Sequence, residues 1–279
     1  MALDLGSFKS VRAFVATFLK KFSVLNYLFN NAGIFGGGPP VATDDGYESV
    51  FEVDYLGHFL LTELLLPTLR KNMGHAPAKV INTASWIHKF ACQGVGLQND
   101  CLKDWSSIPP RGDMAKPIGA MAAEWQLAEP VTYGIAKFLQ IQHAAELAKR
   151  EGSNHIEAFS VCPGYVLTGM TDYGQSDAEW KRECEGTGQG VLQSPCPYTP
   201  QQGAAVLATS ALVATHNGAW YTRVKGCTDS MTVSMQGFTP EMQSELYEQS
   251  LKWVGLDAVR LWQRKIPSLA ASASIMQCV

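Results

Sequence analysis

Tyr133 and Lys137 stand four residues apart in the stretch VTYGIAK. On a helix, that spacing sets a phenol and an ammonium side by side on one face. The ammonium's field favours the phenolate, so the pair predicts a lowered tyrosine pKa. Such a phenol can exchange a proton with a bound hydroxyl or carbonyl near neutral pH. Taken alone, the pair fits surface packing better than chemistry. The elements that would have to hold it in place decide between the two.

Ser7 can cap a helix running to about Lys21, with Val11, Phe14, Val15, Phe18 and Phe22 at helical spacing. Val24 to Phe29 reads as a short buried parallel strand that ends in the turn Asn30-Asn31-Ala32-Gly33. The following IFGGGPP has neither G-x-G-x-x-G spacing nor a P-loop lysine, and reads as a flexible connection. A helix is expected from Thr43 or Asp44, through Tyr47, Val50, Phe51, Asp54 and Leu61, with Pro67 bending it near its end.

Lys79 to Thr83 is the next strand, and Ser85 follows it. Residues 86 to 130 form a long, Gly- and Pro-broken connection of the kind that often carries function. A helix begins near Thr132 and stops at Gly152. Ile156 to Val161 is a strand closed by Cys162-Pro163-Gly164. Residues 165 to 200 read as a mobile lobe, Pro200 to Ala214 as a helix, Trp220 to Val224 as a last strand and Glu241 to Trp253 as a last helix.

Strands alternating with helices predict a three-layer, doubly wound α/β sheet with parallel crossovers. Ligands bind such sheets at the carboxyl ends of the strands. Asn31 to Gly33, Ser85 and Pro163-Gly164 all fall at strand exits, and the Tyr133/Lys137 helix follows the second of them. Residues distant in sequence therefore converge on one edge.

Composition bounds the remaining choices. The chain has 279 residues, 46% of them hydrophobic, and a formal net charge of -3. Neither nucleic acid nor an anionic membrane is favoured by that charge. No apolar run reaches the ~18 residues of a membrane span, and the N-terminus lacks a signal-peptide core. Seven cysteines, irregularly spaced and without a CxxC, predict free thiols in a reducing, cytoplasmic setting and no metal site. Peripheral membrane contact stays open.

With these segments in order, the chain resembles the short-chain dehydrogenase/reductase family over roughly residues 1 to 255. The resemblance is to its retinol-dehydrogenase-like and WW-domain-oxidoreductase-like branch. The matching segments are NNAG at 30–33, DYLGHFLLTELLLP at 54–67, VINTAS at 80–85, YGIAK at 133–137, PGYVLTG at 163–169 and GAWY at 218–221. The resemblance implies an incomplete Rossmann-like domain over 1–255, a tail over 256–279, and hydride transfer between NAD or NADP and an alcohol or carbonyl. An apolar substrate such as a retinoid, steroid or lipid-derived aldehyde is implied by the branch.

The family's roles fall by motif on Tyr133 as acid/base, Ser85 as holder of the substrate oxygen and Lys137 as modulator and ribose ligand. Asn31, Ala32 and Gly33 match the cofactor-side loop, and Pro163, Gly164, Val166 and Thr168 the segment beside nicotinamide. Asp4 matches the adenine-side aspartate of a DL motif. The family also implies a homodimer paired through the Tyr133 helix and the helix before it.

Two departures stand out. Asp54 occupies the place of a relay asparagine, and a carboxylate cannot donate as an amide does. No T-G-x-x-x-G-I-G turn occurs in these residues. On this reading the domain is truncated, with weak cofactor binding and exposed strand edges. A non-catalytic binding or regulatory protein that has lost dinucleotide binding is the alternative. Asp54 is open between a relay role and ordinary helix polarity, whereas His58 and Cys162 read as structural. Trp86, Trp105, Trp125 and Trp180 are open between pocket lining and loop packing. No G-x-S-x-G elbow surrounds Ser85, which sets a nucleophilic triad aside.

Overall fold

The computed structural model describes residues 1–35, 41–72, 74, 76–90, 128–170, 198–222, 230–231 and 239–256. Most of the long connection after residue 90, the expected lobe, the tail, the IFGGGPP glycines, and Trp105, Trp125 and Trp180 lie outside them.

Five strands form one sheet in the order β1 (Tyr27–Asn30), β2 (Ala78–Thr83), β3 (Ile156–Cys162), β4 (Trp220–Thr222) and β5 (Ser230–Met231). The first four run parallel. The last is antiparallel to β4, an edge strand that the sequence pattern does not announce.

Helix α1 (Phe8–Lys21) begins at Ser7, whose side chain accepts from the Ser10 amide. Helix α2 is composite: Ser49–Phe51, a π turn over Glu52–Leu56, then Gly57–Leu69. It starts later than the expected Thr43 or Asp44. The Glu48 carboxylate caps it by accepting from the Val50 and Phe51 amides, while Thr43 to Tyr47 close a turn. Pro67 sits within the last turn of this helix.

Helix α3 (Ala128–Glu151) carries Tyr133 and Lys137. It begins four residues before the expected Thr132. Helix α4 (Pro200–Val213) opens with a capping box formed by Thr199 and Gln202, and α5 (Pro240–Trp253) is capped by Thr239. Among the described residues no helix is long and apolar enough to cross a membrane.

The sheet is packed on both faces, which produces three layers. Val80, Ala158, Phe59, Phe138, Leu147 and Tyr247 belong to one buried cluster, on the face of α1, α2, α3 and α5. Ile81, Phe159, Val161, Val206, Leu207 and Tyr221 fill the other, under α4. Successive strand side chains point to opposite faces, so a strand buried on both reads as a continuous apolar run. Strand β3 fits that rule.

Strand β1 does not. It begins at Tyr27 rather than Val24, and Tyr27 and Phe29 are each 41% exposed. Only its inward face is enclosed, where Asn30 donates to Asn82 Oδ1 and Thr62 Oγ1, both at 2.9 Å. The expectation of a buried strand is corrected: among the described residues β1 is the outermost strand, hydrogen-bonded on one side to β2.

Candidate functional site

The parallel register brings the carboxyl ends of β1, β2 and β3 to one edge. A cleft of about 790 Å³ opens there. Asn31, Ala32 and Gly33 form one wall, following β1. Ser85 follows β2, and Pro163, Gly164, Val166 and Thr168 follow β3 on the opposite side. Tyr133 and Lys137 enter from α3. Trp86, Ile87, Met170 and Leu207 add apolar surface.

Two glycines are required by close approach. A Cβ on Gly33 would lie 2.8 Å from Asp54 Oδ2. Gly164 has φ +90, a conformation side chains rarely adopt, and a Cβ there would meet the Tyr198 ring at 2.7 Å. The segment after Gly164 is pinned to α4's approach by backbone bonds, Tyr198 N to Tyr165 O at 2.7 Å and Leu167 N to Tyr198 O at 2.9 Å.

Ser85 and Tyr133 line the same cleft, where the Ser85 hydroxyl favours the Tyr133 phenolate. That hydroxyl also accepts from the Ile87 amide at 3.2 Å, which fixes the serine rotamer. The Lys137 ammonium lies 5.1 Å from the Tyr133 ring centre, and the Phe35 ring packs on the phenol's ring at 5.0 Å. The three residues expected to meet therefore do meet.

Their electrostatics differ from the expectation. The Tyr133 pKa is raised, not lowered. Burial is the largest cause; Lys137 pulls it down, Asp54 pushes it up, and the Ser85 hydroxyl lowers it. Desolvation of a phenolate outweighs one cation when that cation already has a counter-ion.

That counter-ion is Asp54. Its Oδ2 lies 3.0 Å from Lys137 Nζ, with both side chains buried. Its Oδ1 accepts from the Ile34 amide at 2.8 Å. Burial opposes charge on Lys137, yet Asp54 and Tyr133 outweigh it and its pKa is raised. Asp54 is itself raised by burial, against the pull of Lys137 and the Ile34 amide. Lys137 also donates to Thr83 O and Gln140 Oε1, each at 3.1 Å.

Asp54 thus sits behind the cleft wall rather than on it, carried by the π turn. Widened turns of this kind recur at functional sites. Asp4 is elsewhere in the chain's exposed start, where its side chain accepts from the Gly6 amide; it does not line the cleft. His58 is buried, with Nδ1 3.2 Å from Asp54 O, and burial lowers its pKa to about 4. Cys162 is buried at the end of β3. Trp86 is 43% exposed and lines the cleft.

Gln140, Thr83 and Phe35 were not singled out from the sequence. Gln140 had a signal, since it stands three residues after Lys137 on the same helix. The carbonyl of Thr83 and the ring of Phe35 had none.

The nicotinamide end of a dinucleotide fits this cleft, with Gly33 keeping one wall low and Gly164 turning the other. No group of three or more His, Cys, Asp or Glu residues gathers as a metal site among the described residues.

Comparison with known proteins gives a consistent picture. Residues 1–96 match the short chain dehydrogenase family. The chain is 30% identical over 267 residues to short-chain dehydrogenase/reductase prx1 of Penicillium roqueforti, spanning 92% of this chain and 70% of that one. It is 34% identical over 169 residues to retinol dehydrogenase 12 of Mus musculus, spanning 61% of this chain and 45% of that one. Among solved structures, the Pseudomonas aeruginosa RhlG/NADP active-site complex shares the fold, with a TM-score of 0.53 and 21% identity over 80% of this chain and 74% of that chain.

Proposed function

The chain belongs to the short-chain dehydrogenase/reductase family, and from that premise we propose that it transfers hydride between NAD or NADP and a small apolar alcohol or carbonyl. The observation that carries this reading is the convergence of Ser85 and Tyr133 in the wall of one cleft, with the Lys137 ammonium 5.1 Å from the phenol's ring centre.

In carbonyl reduction, Ser85 donates to the substrate oxygen and Tyr133 gives its proton to that oxygen. In alcohol oxidation the Tyr133 phenolate takes the hydroxyl proton. Both donors stand where negative charge develops on oxygen, which is where fixed dipoles stabilise a transition state most. The nicotinamide supplies or accepts the hydride when bound. Asn31, Ala32 and Gly33 would hold it from one side, and Pro163, Gly164, Val166 and Thr168 from the other. Asp4 is assigned to the adenine end by motif alone.

The apolar surface from Trp86, Ile87, Met170 and Leu207 supports an apolar substrate, of which a retinoid, steroid or lipid-derived aldehyde is the class we favour. In this reading residues 1–255 form the catalytic domain, 256–279 a tail, and two copies pair through α2 and α3.

Incubation with deuteride-labelled NADH or NADPH and a panel of apolar ketones and aldehydes tests it. Labelled alcohol is expected. Its absence across the panel with both nucleotides overturns the reading. A second reading, a binding or regulatory protein without turnover, is favoured by one observation: Lys137 already has three internal acceptors. This reading has lost dinucleotide binding, so no measurable binding of NADH or NADPH, together with no label transfer, would select it.

A further inference from the structure

The ammonium of Lys137 has three hydrogens to donate. Three acceptors already surround it: Thr83 O at 3.1 Å, Gln140 Oε1 at 3.1 Å and Asp54 Oδ2 at 3.0 Å. Its side chain is 2% exposed and that of Asp54 is 0% exposed. Lys137 therefore borders the cleft with two hydrogens donated inward, to Thr83 and Gln140, and its charge paired with the Asp54 carboxylate.

Asp54 is held in this arrangement from two directions. The Ile34 amide fixes one carboxylate oxygen, and the Gly33 backbone passes so close that a Cβ would lie 2.8 Å from the other. The carboxylate is wedged between the glycine turn and the lysine. An uncharged amide of the same shape could keep the bond to Ile34 but would leave the ammonium's charge unbalanced.

We propose that Asp54 is a positioning residue that holds Lys137 away from the cleft, its carboxylate pairing with the ammonium and opposing the ammonium's field at Tyr133. The inference rests on the reading of Tyr133 as the proton-exchanging group. It gives that group a direction. Tyr133 stays a phenol across neutral pH, where it serves as an acid for carbonyl reduction. Alcohol oxidation, which needs the phenolate, gains rate only at alkaline pH.

The charged and titratable groups facing Tyr133 are Lys137 from its own helix, Asp54 from the π turn and Cys162 from the end of β3, with the Ser85 hydroxyl beside it in the cleft wall. Lys137 also faces His58, which burial keeps neutral. Of these, Asp54 is the one carboxyl group, paired at 3.0 Å with the Lys137 ammonium.

Nuclear magnetic resonance of protein carrying ring-labelled tyrosine tests the proposal without turnover. Each variant is paired with its Tyr133→Phe counterpart, so that the difference isolates one phenol. The pH range is the one over which circular dichroism shows the fold intact. Asp54→Asn is expected to lower the Tyr133 midpoint by about one pH unit or more, the effect of an opposite charge no longer cancelled. A midpoint as high as in the wild type overturns the proposal.

If Asp54→Asn does not fold, the charge-free pair Asp54→Asn with Lys137→Met decides, since removing a buried ion pair entirely is often tolerated. A midpoint within about half a pH unit of wild type supports cancellation. A midpoint well above wild type means that Lys137 was acting on Tyr133 uncancelled, and overturns it. Deuteride transfer to a ketone is scored separately. Failure of that assay counts against the proposed function while leaving the titration result to stand or fall alone.

Discussion

Strands β1 and β3 lie in one parallel sheet but live in different surroundings. Strand β3 has neighbours on both sides and helices on both faces, and Ala158, Phe159 and Val161 are each at most 1% exposed. Strand β1 has β2 on one side, and its aromatic side chains Tyr27 and Phe29 stack on each other at 6.4 Å while facing outward. Both segments are apolar, so composition does not separate them. What separates them is what the rest of the chain packs against them. The contrast extends to the cleft, whose β2 and β3 sides are anchored by α3 and α4, while its β1 wall is held by the Asp54 carboxylate at the Ile34 amide and by the Thr83 hydroxyl donating to Asn31.

The largest test of that contrast is a pair of truncations. Phe159→Ala should cost ~3–5 kcal/mol in urea unfolding, because it opens a cavity in an enclosed layer. Phe29→Ala should cost under about 1 kcal/mol, as an outward-facing change does. Equal costs would mean that β1 is covered in solution.

A second test uses pH. Burial holds His58 and His143 neutral, with pKa values lowered to about 4 and about 3 from 6.5. Their folded values lie below the unfolded one, so their contribution to stability is complete above pH 6.5 and is lost as pH falls toward 4. The melting temperature should drop over that window, and His143→Gln should flatten the drop. An unchanged slope in that variant would place the acid sensitivity elsewhere.

A third concerns the weaker wall of the cleft. Gly33→Ala forces a methyl against Asp54 and should cost ~1–3 kcal/mol. A neutral effect would show that the turn moves freely.

The smallest effect is expected at the open edge. The Tyr27→Ser, Phe29→Ser double variant should lower concentration-dependent association in sedimentation while barely changing the melting temperature. Association that is unaffected would assign it to another face.

The elements with local signals could be read from the sequence. Ser7 before an amphipathic run marked α1, the alanine-rich stretch from Pro200 marked α4, and the short apolar runs marked β2 and β3 within a residue or two. The meeting of Ser85 with Tyr133 followed from strand exits and motif order.

Features set by distant partners could not be read. The apolar run Val24 to Phe29 reads as a buried strand by composition, and nothing within it records what lies alongside. The π turn has no local pattern either. The rise of the Tyr133 pKa depends on an ion pair between Asp54 and Lys137, 83 positions apart in the chain. Spacing alone showed the cation and not its counter-ion.

The central claim is that Tyr133 moves a proton in this cleft. The most direct measurement compares the rate of nicotinamide-dependent reduction of an apolar ketone by wild-type protein and by Tyr133→Phe, which keeps the ring and removes the hydroxyl. The account predicts a fall of ~10²–10⁴-fold, the usual contribution of a positioned general acid. Equal rates in the two proteins would contradict it.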